Sequence, residues 1–246
     1  MIKNKSILIT GGYGFLGSNI YQALKKKNKV VRFGSFKKKK FINYLNLKRL
    51  DFFFDIIIHC AGGSSVSKSL INPTQDYKKT VISTNAVIRY LKSQKNKTKL
   101  IYISSPAVYG NSIDKKILKP ISPYGKNKLK SERLLIQFAK LCNCEITIIR
   151  FFSLYGAGLS KQLIWDTLKK IKKKNYTFCG TGDEKRSWMY VKDAVKIIKL
   201  SIVKSKKQIR IIDAPGNITL KNKALIKLIY KLSKILEKPR FNGVLR

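Results

Sequence analysis

The sequence predicts an α/β fold: a doubly wound parallel sheet with a small C-terminal lobe. Three observations carry this. Short apolar runs alternate with amphipathic stretches as far as Phe151, spaced glycines follow the first run at once, and the periodicity loosens after Phe151. Runs at 6–10, 29–33, 55–59, 99–104 and 145–151 read as strands, and stretches at 15–27, 74–92 and 123–141 as helices. The span 36–54 is short for another full unit, so an abbreviated strand and helix are expected there. Beyond Phe151 the pattern predicts a helix at 163–173, strands at 176–179 and 210–214, and a final helix at 220–236. The expected domains are 1–152 and 153–246, with elements that interleave.

The chain has 246 residues, 44% of them hydrophobic, enough for a sizeable core. Lys and Arg number 53 against 12 Asp and Glu, a net charge of +41. These cations run from Lys3 to Arg246 and are overwhelmingly Lys. That spread fits a compositional bias better than a binding stripe, so no dedicated nucleic-acid role is expected. Cys60, Cys142, Cys144 and Cys179 show no metal-ligand spacing, and His59 is the sole histidine, so no metal site is expected. No apolar run approaches the roughly 20 residues of a membrane span, and the first strand begins too early for a signal segment. A soluble cytoplasmic protein is expected.

"ILITGGYGFLG" sets Gly11, Gly14 and Gly17 between a buried strand and a helix that opens at Phe15 and Leu16. A dinucleotide pyrophosphate needs this combination. Glycines let the backbone approach it, and the helix N-terminus offers unpaired N–H groups and a favourable dipole. The reading is a Rossmann-like domain that binds NAD(P).

The spacing G-x-x-G-x-x-G, with the motifs below, resembles the short-chain dehydrogenase/reductase superfamily. Within it, the chain is similar to the extended branch of nucleotide-sugar epimerases, dehydratases and reductases. "IIIHCAGG" resembles that branch's fourth-strand motif, which implies that Cys60, Ala61 and Gly62 lie against the cofactor. His59 is then a residue of the sheet rather than a catalytic one.

"SPYGKNK" places Tyr124 and Lys128 four apart, on one face of a helix. A phenol with a pKa of roughly 10 is a poor base at neutral pH, and a nearby ammonium favours its phenolate. In so Lys-rich a chain the pair alone is a chance pattern, but "YISSPAVYG" supplies Ser105 upstream, where the family carries its third catalytic group. The resemblance implies that Ser105 binds the reacting oxygen, Tyr124 shuttles the proton, and Lys128 tunes Tyr124 and holds the nicotinamide ribose. Tyr109 reads as packing, and Glu132 as either a family position or an exposed carboxylate among lysines. "RFFSLYGAG" resembles a segment that brings Phe151 near the nicotinamide and Ser153 near substrate; here Ser153 stands where the family usually has Asn. "GTGDEKRSWMYVKD" resembles the block whose arginine, here Arg186, reaches the substrate diphosphate. Asp193 reads as structural, near a helix start.

The family's dehydratases carry Asp-Glu after the catalytic hydroxyl; this chain has Pro106 and Ala107, which disfavours dehydration. The resemblance then implies an NAD(P)-dependent epimerase acting at C4 of a nucleotide-diphosphate sugar. The alternatives are an NADPH-dependent 4-keto sugar reductase or a catalytically silent member recruited to polyanions. Helix-paired homodimers are common in the family. Gly34 and Ser35 stand where an NAD-binding fold commonly presents an acid to the ribose 2′-hydroxyl, with Arg32 and Lys37 beside them. That favours NADP over NAD, with the rest of the lysines at 37–40 as solvated surface.

Overall fold

The computed structural model describes residues 2–34, 53–94, 97–112, 114–142, 144–204 and 208–244. Ser35, the lysines at 37–40 and nearly all of the abbreviated unit expected at 36–54 lie outside these residues. The chain divides into two compact units, Met1–Phe151 with Lys192–Ala214, and Phe152–Val191 with Pro215–Arg246.

The first unit is built on a six-stranded sheet of β1 (Ser6–Thr10), β2 (Lys29–Phe33), β3 (Ile56–His59), β4 (Lys99–Ser104), β5 (Ile146–Phe151) and β9 (Ile209–Ala214). Its order is β2-β1-β3-β4-β5-β9 and every pairing is parallel. Ile7 to Ile9, Ile56 to Ile58, Leu100, Ile101, Ile146, Ile148 and Ile149 are buried. Such continuous branched runs suit strands covered on both faces. The chain runs from β1 outward to β2 and then returns past β1 to β3. This reversal opens a crevice at the strands' carboxyl ends, where ligands of such sheets bind.

The helices are α1 (Phe15–Leu24), α2 (Val66–Ile71), α3 (Pro73–Tyr77), α4 (Ser83–Ser93), α5 (Pro123–Cys142) and α7 (Val191–Lys204). Ser65 caps α2 by accepting from the Lys68 amide, and Asn72 caps α3 by accepting from the Gln75 amide at 2.8 Å. The single helix expected at 74–92 is instead α3, a π-helical turn at Lys78–Ile82 and α4. The wider turn inserts a residue and changes which side chains face the sheet. Val87, Tyr90 and Leu91 of α4 pack with Leu135 and Phe138 of α5 against Leu8, Leu100 and Tyr102 of the sheet.

The second unit joins β6 (Ser153–Tyr155), β8 (Lys185–Tyr190) and β10 (Ile218–Lys221) in the order β10-β8-β6, and pairs β7 (Thr177–Phe178) with β11 (Arg240–Phe241). Helices α6 (Gln162–Lys172) and α8 (Asn222–Leu232) supply Leu163, Ile226 and Tyr230, which pack with Phe178 and Phe241. The final helix expected from 220 starts later, because Leu220 and Lys221 pair with Arg186 and Lys185 in the sheet. No helix among the described residues is long and apolar enough to cross a membrane.

Candidate active site

The glycine turn sits where β1 ends. Gly11 has φ +65°, and a Cβ there would stand 2.8 Å from the Ala61 amide, so glycine is required. A Cβ at Gly17 would drive into Gly11 and Gly12, so its absence lets α1 close on the turn. Gly14 differs, since among the described residues the one neighbour its Cβ would meet is the Gly11 carbonyl at 3.2 Å. It begins α1 with no side-chain cap and no acid in the first turn. Among the described residues, no side chain caps the amides of Phe15, Leu16 and Gly17, which open the helix.

Arg32 leaves β2 toward this turn. Its guanidinium lies 4.3 Å from the Tyr13 ring centre and 4.1 Å from that of Tyr21, clamped between two aromatic faces. Gly34 follows, and Ser35 lies outside the described residues.

At the end of β3, Cys60, Ala61 and Gly62 pass beside Gly11, the Cys60 amide donating to the Thr10 carbonyl at 3.0 Å. His59 is fully buried, with Nδ1 2.6 Å from Thr10 Oγ1 and Nε2 3.1 Å from Thr84 Oγ1. The Thr84 hydroxyl donates to the Thr80 carbonyl, so it accepts from His59 Nε2–H and the ring is neutral. Burial holds its pKa down at about 3. Cys60 is kept a thiol by the same cause, its pKa pushed up to about 12.

Ser105 ends β4 and caps a short turn at Pro106–Val108 by accepting from the Ala107 amide. Its side chain stands close to that of Tyr124, in the first turn of α5. Lys128, 4% exposed, stands one turn further on, with Nζ 6.0 Å from the Tyr124 ring centre. The structure thus brings the three candidate catalytic residues together. Lys128 Nζ donates to the Ile103 carbonyl at 2.8 Å and rests over Gly62, whose Cβ would be 3.0 Å away. Burial pulls the Lys128 pKa down to about 8. Burial pushes Tyr124 up, partly offset by the nearby Ser105 side chain, and the phenol keeps its proton at neutral pH.

Glu132, one turn beyond Lys128, is 1% exposed, which excludes the reading as a solvated carboxylate. It accepts from Ser104 Oγ and from two nitrogens of Arg150. Arg150 also donates to the Tyr109 hydroxyl, which donates to Asp213, so Tyr109 is a polar bridge as well as packing. This chain of contacts locks α5 to β4, β5 and β9 directly behind Ser105.

A profile of the NAD dependent epimerase/dehydratase family matches residues 7–212. The chain belongs to this family. It is 29% identical over 223 residues to an uncharacterized UDP-glucose epimerase of Bacillus subtilis, covering 77% of this chain and 70% of that one. It is 28% identical to a dTDP-D-glucose 4,6-dehydratase of Dictyostelium discoideum, where the match spans 81% of this chain but only 56% of the relative. A UDP-glucuronic acid 4-epimerase of Bacillus cereus, solved with UDP-glucuronic acid and NAD, superposes with a TM-score of 0.84 at 25% identity, over 97% of this chain and 86% of that one.

Family membership brings a nicotinamide cofactor into question, and the residues present fit one. Gly14 and the first-turn amides of α1, with no side-chain cap, together with the small residues Ala61 and Gly62 and with Lys128 Nζ over Gly62, suit the close approach of a dinucleotide. Phe151, 4% exposed, closes β5 beside Ala214. In the second unit, Ser153 opens β6 opposite Trp188, and the exposed Arg186 lies on β8 opposite Leu220. Two further residues beside the candidate catalytic ones escaped the sequence. Asp76 and Asn127 are buried and hydrogen-bonded to each other at 2.8 Å beside Tyr124 and Lys128. Nothing in "NPTQDY" marks that aspartate as buried.

Proposed function

We propose that this protein is an NAD(P)-dependent nucleotide-sugar epimerase acting at the sugar C4. The observation that carries the reading is the placement of Ser105 against Tyr124, with Lys128 on the next turn beside the glycine turn. Bound NAD(P) supplies a site that accepts the carbinol hydrogen as hydride and returns it. The chain's residues do the rest. Ser105 holds the sugar O4, and Tyr124 takes its proton as the C–H bond breaks and gives it back on return. Lys128 keeps positive charge close to the phenolate. Pro106 and Ala107 offer no carboxylate for dehydration.

A panel of UDP-, dTDP-, CDP- and GDP-hexoses tests this by product analysis. Isomerisation without net cofactor turnover is the expected result. Stoichiometric NADPH oxidation with a 4-keto sugar would establish the reductase reading instead. Cofactor titration without response, alongside DNA binding with a steep salt slope, would establish the silent binder.

For the cofactor the reading is NADP. It is supported by Gly34, which leaves no carboxylate to repel a 2′-phosphate, and by the Arg32 guanidinium clamped near the turn. Arg32→Gln should weaken NADP binding and spare NAD. Much tighter binding of NAD than of NADP by the unaltered chain overturns the preference.

A further inference from the structure

Asp76 is 6% exposed, and one of its carboxylate oxygens accepts from Asn127 Nδ2 at 2.8 Å. The other lies on Gly63, where any Cβ would overlap it. Gly63 donates its amide to Thr80 Oγ1 at 2.8 Å, and the neighbouring Gly62 carries Lys128 Nζ. One carboxylate therefore contacts both the β3 loop and the turn of α5 between Tyr124 and Lys128.

The other titratable groups facing the pair carry no free negative charge. On β3, His59 is a neutral ring and Cys60 a thiol; on β4, Tyr102 is a buried phenol. On α5, Glu132 is tied to Arg150. Among the described residues, Asp76 is the one carboxylate facing Tyr124 and Lys128 without a cationic partner in an ion pair. A lone buried charge persists only where something nearby benefits from it.

We propose that Asp76 is a positioning residue for the catalytic pair: through Asn127 it fixes the α5 turn between Tyr124 and Lys128, and its charge acts on the protonation of both. The charge opposes the phenolate of Tyr124 and supports the ammonium of Lys128. It thereby holds the resting site as phenol and ammonium, and the phenol must first lose its proton to solvent before Tyr124 can take the one on O4. This inference rests on the epimerase reading for the roles of Tyr124 and Lys128.

The test is Asp76→Asn, which keeps shape and an acceptor for Asn127 but removes the charge. With the tyrosine ζ carbons isotope-labelled and the Tyr124 resonance assigned by its loss in Tyr124→Phe, the ligand-free variant should titrate Tyr124 at lower pH than the unaltered chain. In the active enzyme both breaks of the kcat/KM profile should move to lower pH. A folded Asp76→Asn chain whose Tyr124 titrates where it does in the unaltered protein overturns the proposal. If that variant does not fold, Asp76→Ser carries the same expectation and the same refutation. A chain inactive on every nucleotide sugar would sink the epimerase reading, while the resonance titration would still decide the role of Asp76.

Discussion

Glu132 and Arg150 meet as a two-pronged ion pair, Nη2 to Oε2 at 2.6 Å and Nε to Oε1 at 3.0 Å, with both side chains nearly sealed from water. Removing one partner strands a charge in the core. Glu132→Leu should cost about 3–5 kcal/mol of stability in denaturant unfolding, and Arg150→Met a similar amount. The double variant should lose clearly less than the sum of the two. Strict additivity would show that the pair does not hold α5 in place.

Gly11→Ala and Gly14→Ala separate folding from binding. At Gly11 the positive φ and the Ala61 backbone oppose any side chain, so thermal stability should fall by at least about 1–2 kcal/mol. At Gly14 a Cβ would meet, among the described residues, the Gly11 carbonyl alone, at a tight 3.2 Å that a small backbone shift relieves. That variant should melt near the unaltered protein yet bind nicotinamide cofactor at least about tenfold more weakly, as read by fluorescence titration. Normal affinity in Gly14→Ala would remove the glycine turn from the cofactor site.

Tyr124→Phe should lose about 100-fold or more in turnover while keeping cofactor affinity. The pH dependence carries a sharper expectation. The reaction needs Tyr124 without its proton and Lys128 with its own, yet burial pulls Lys128 to about 8 and pushes Tyr124 upward. As pH rises, kcat/KM should climb and then level off near about pH 8. There each gain in phenolate is offset by loss of ammonium. A plateau reached well below that pH would contradict the arrangement of charges around Lys128.

His59 predicts an acid limb in stability. Its folded-state pKa is about 3 against an ordinary value near 6.5, so between these values the unfolded chain holds a proton that the native chain does not. Stability therefore falls as pH drops through this window, by roughly 3 kcal/mol at about pH 4 from this group. In His59→Gln that part of the slope should vanish, measured as Tm against pH.

The core of the sheet and its phosphate turn were legible because each strand is an unbroken branched run and the glycines answer a steric demand. β1, β2 and β4 fall where the pattern puts them. Tyr124 and Lys128 fall on one helix as their spacing predicts, but it was the family resemblance, and not the spacing alone, that singled them out with Ser105. What stayed hidden depends on side chains meeting across the fold. Glu132 sits among lysines in the sequence, and only the docking of α5 on β5 shows that Arg150 waits beneath it. Asp76 follows an Asn-Pro cap that reads as surface, and the π turn at Lys78–Ile82 has no sequence signature. β8 was missed because "KRSWMY" does not alternate between apolar and polar.

The return of Lys192–Ala214 to the first unit bears on how the chain is made as well as how it stands. During synthesis β5 emerges as a bare sheet edge, and its partner β9 arrives only after most of the second unit has left the ribosome. Nascent chains halted between Phe151 and Ile209 should expose that edge to chaperones or to one another. Release past Ala214 should end the exposure in a single step.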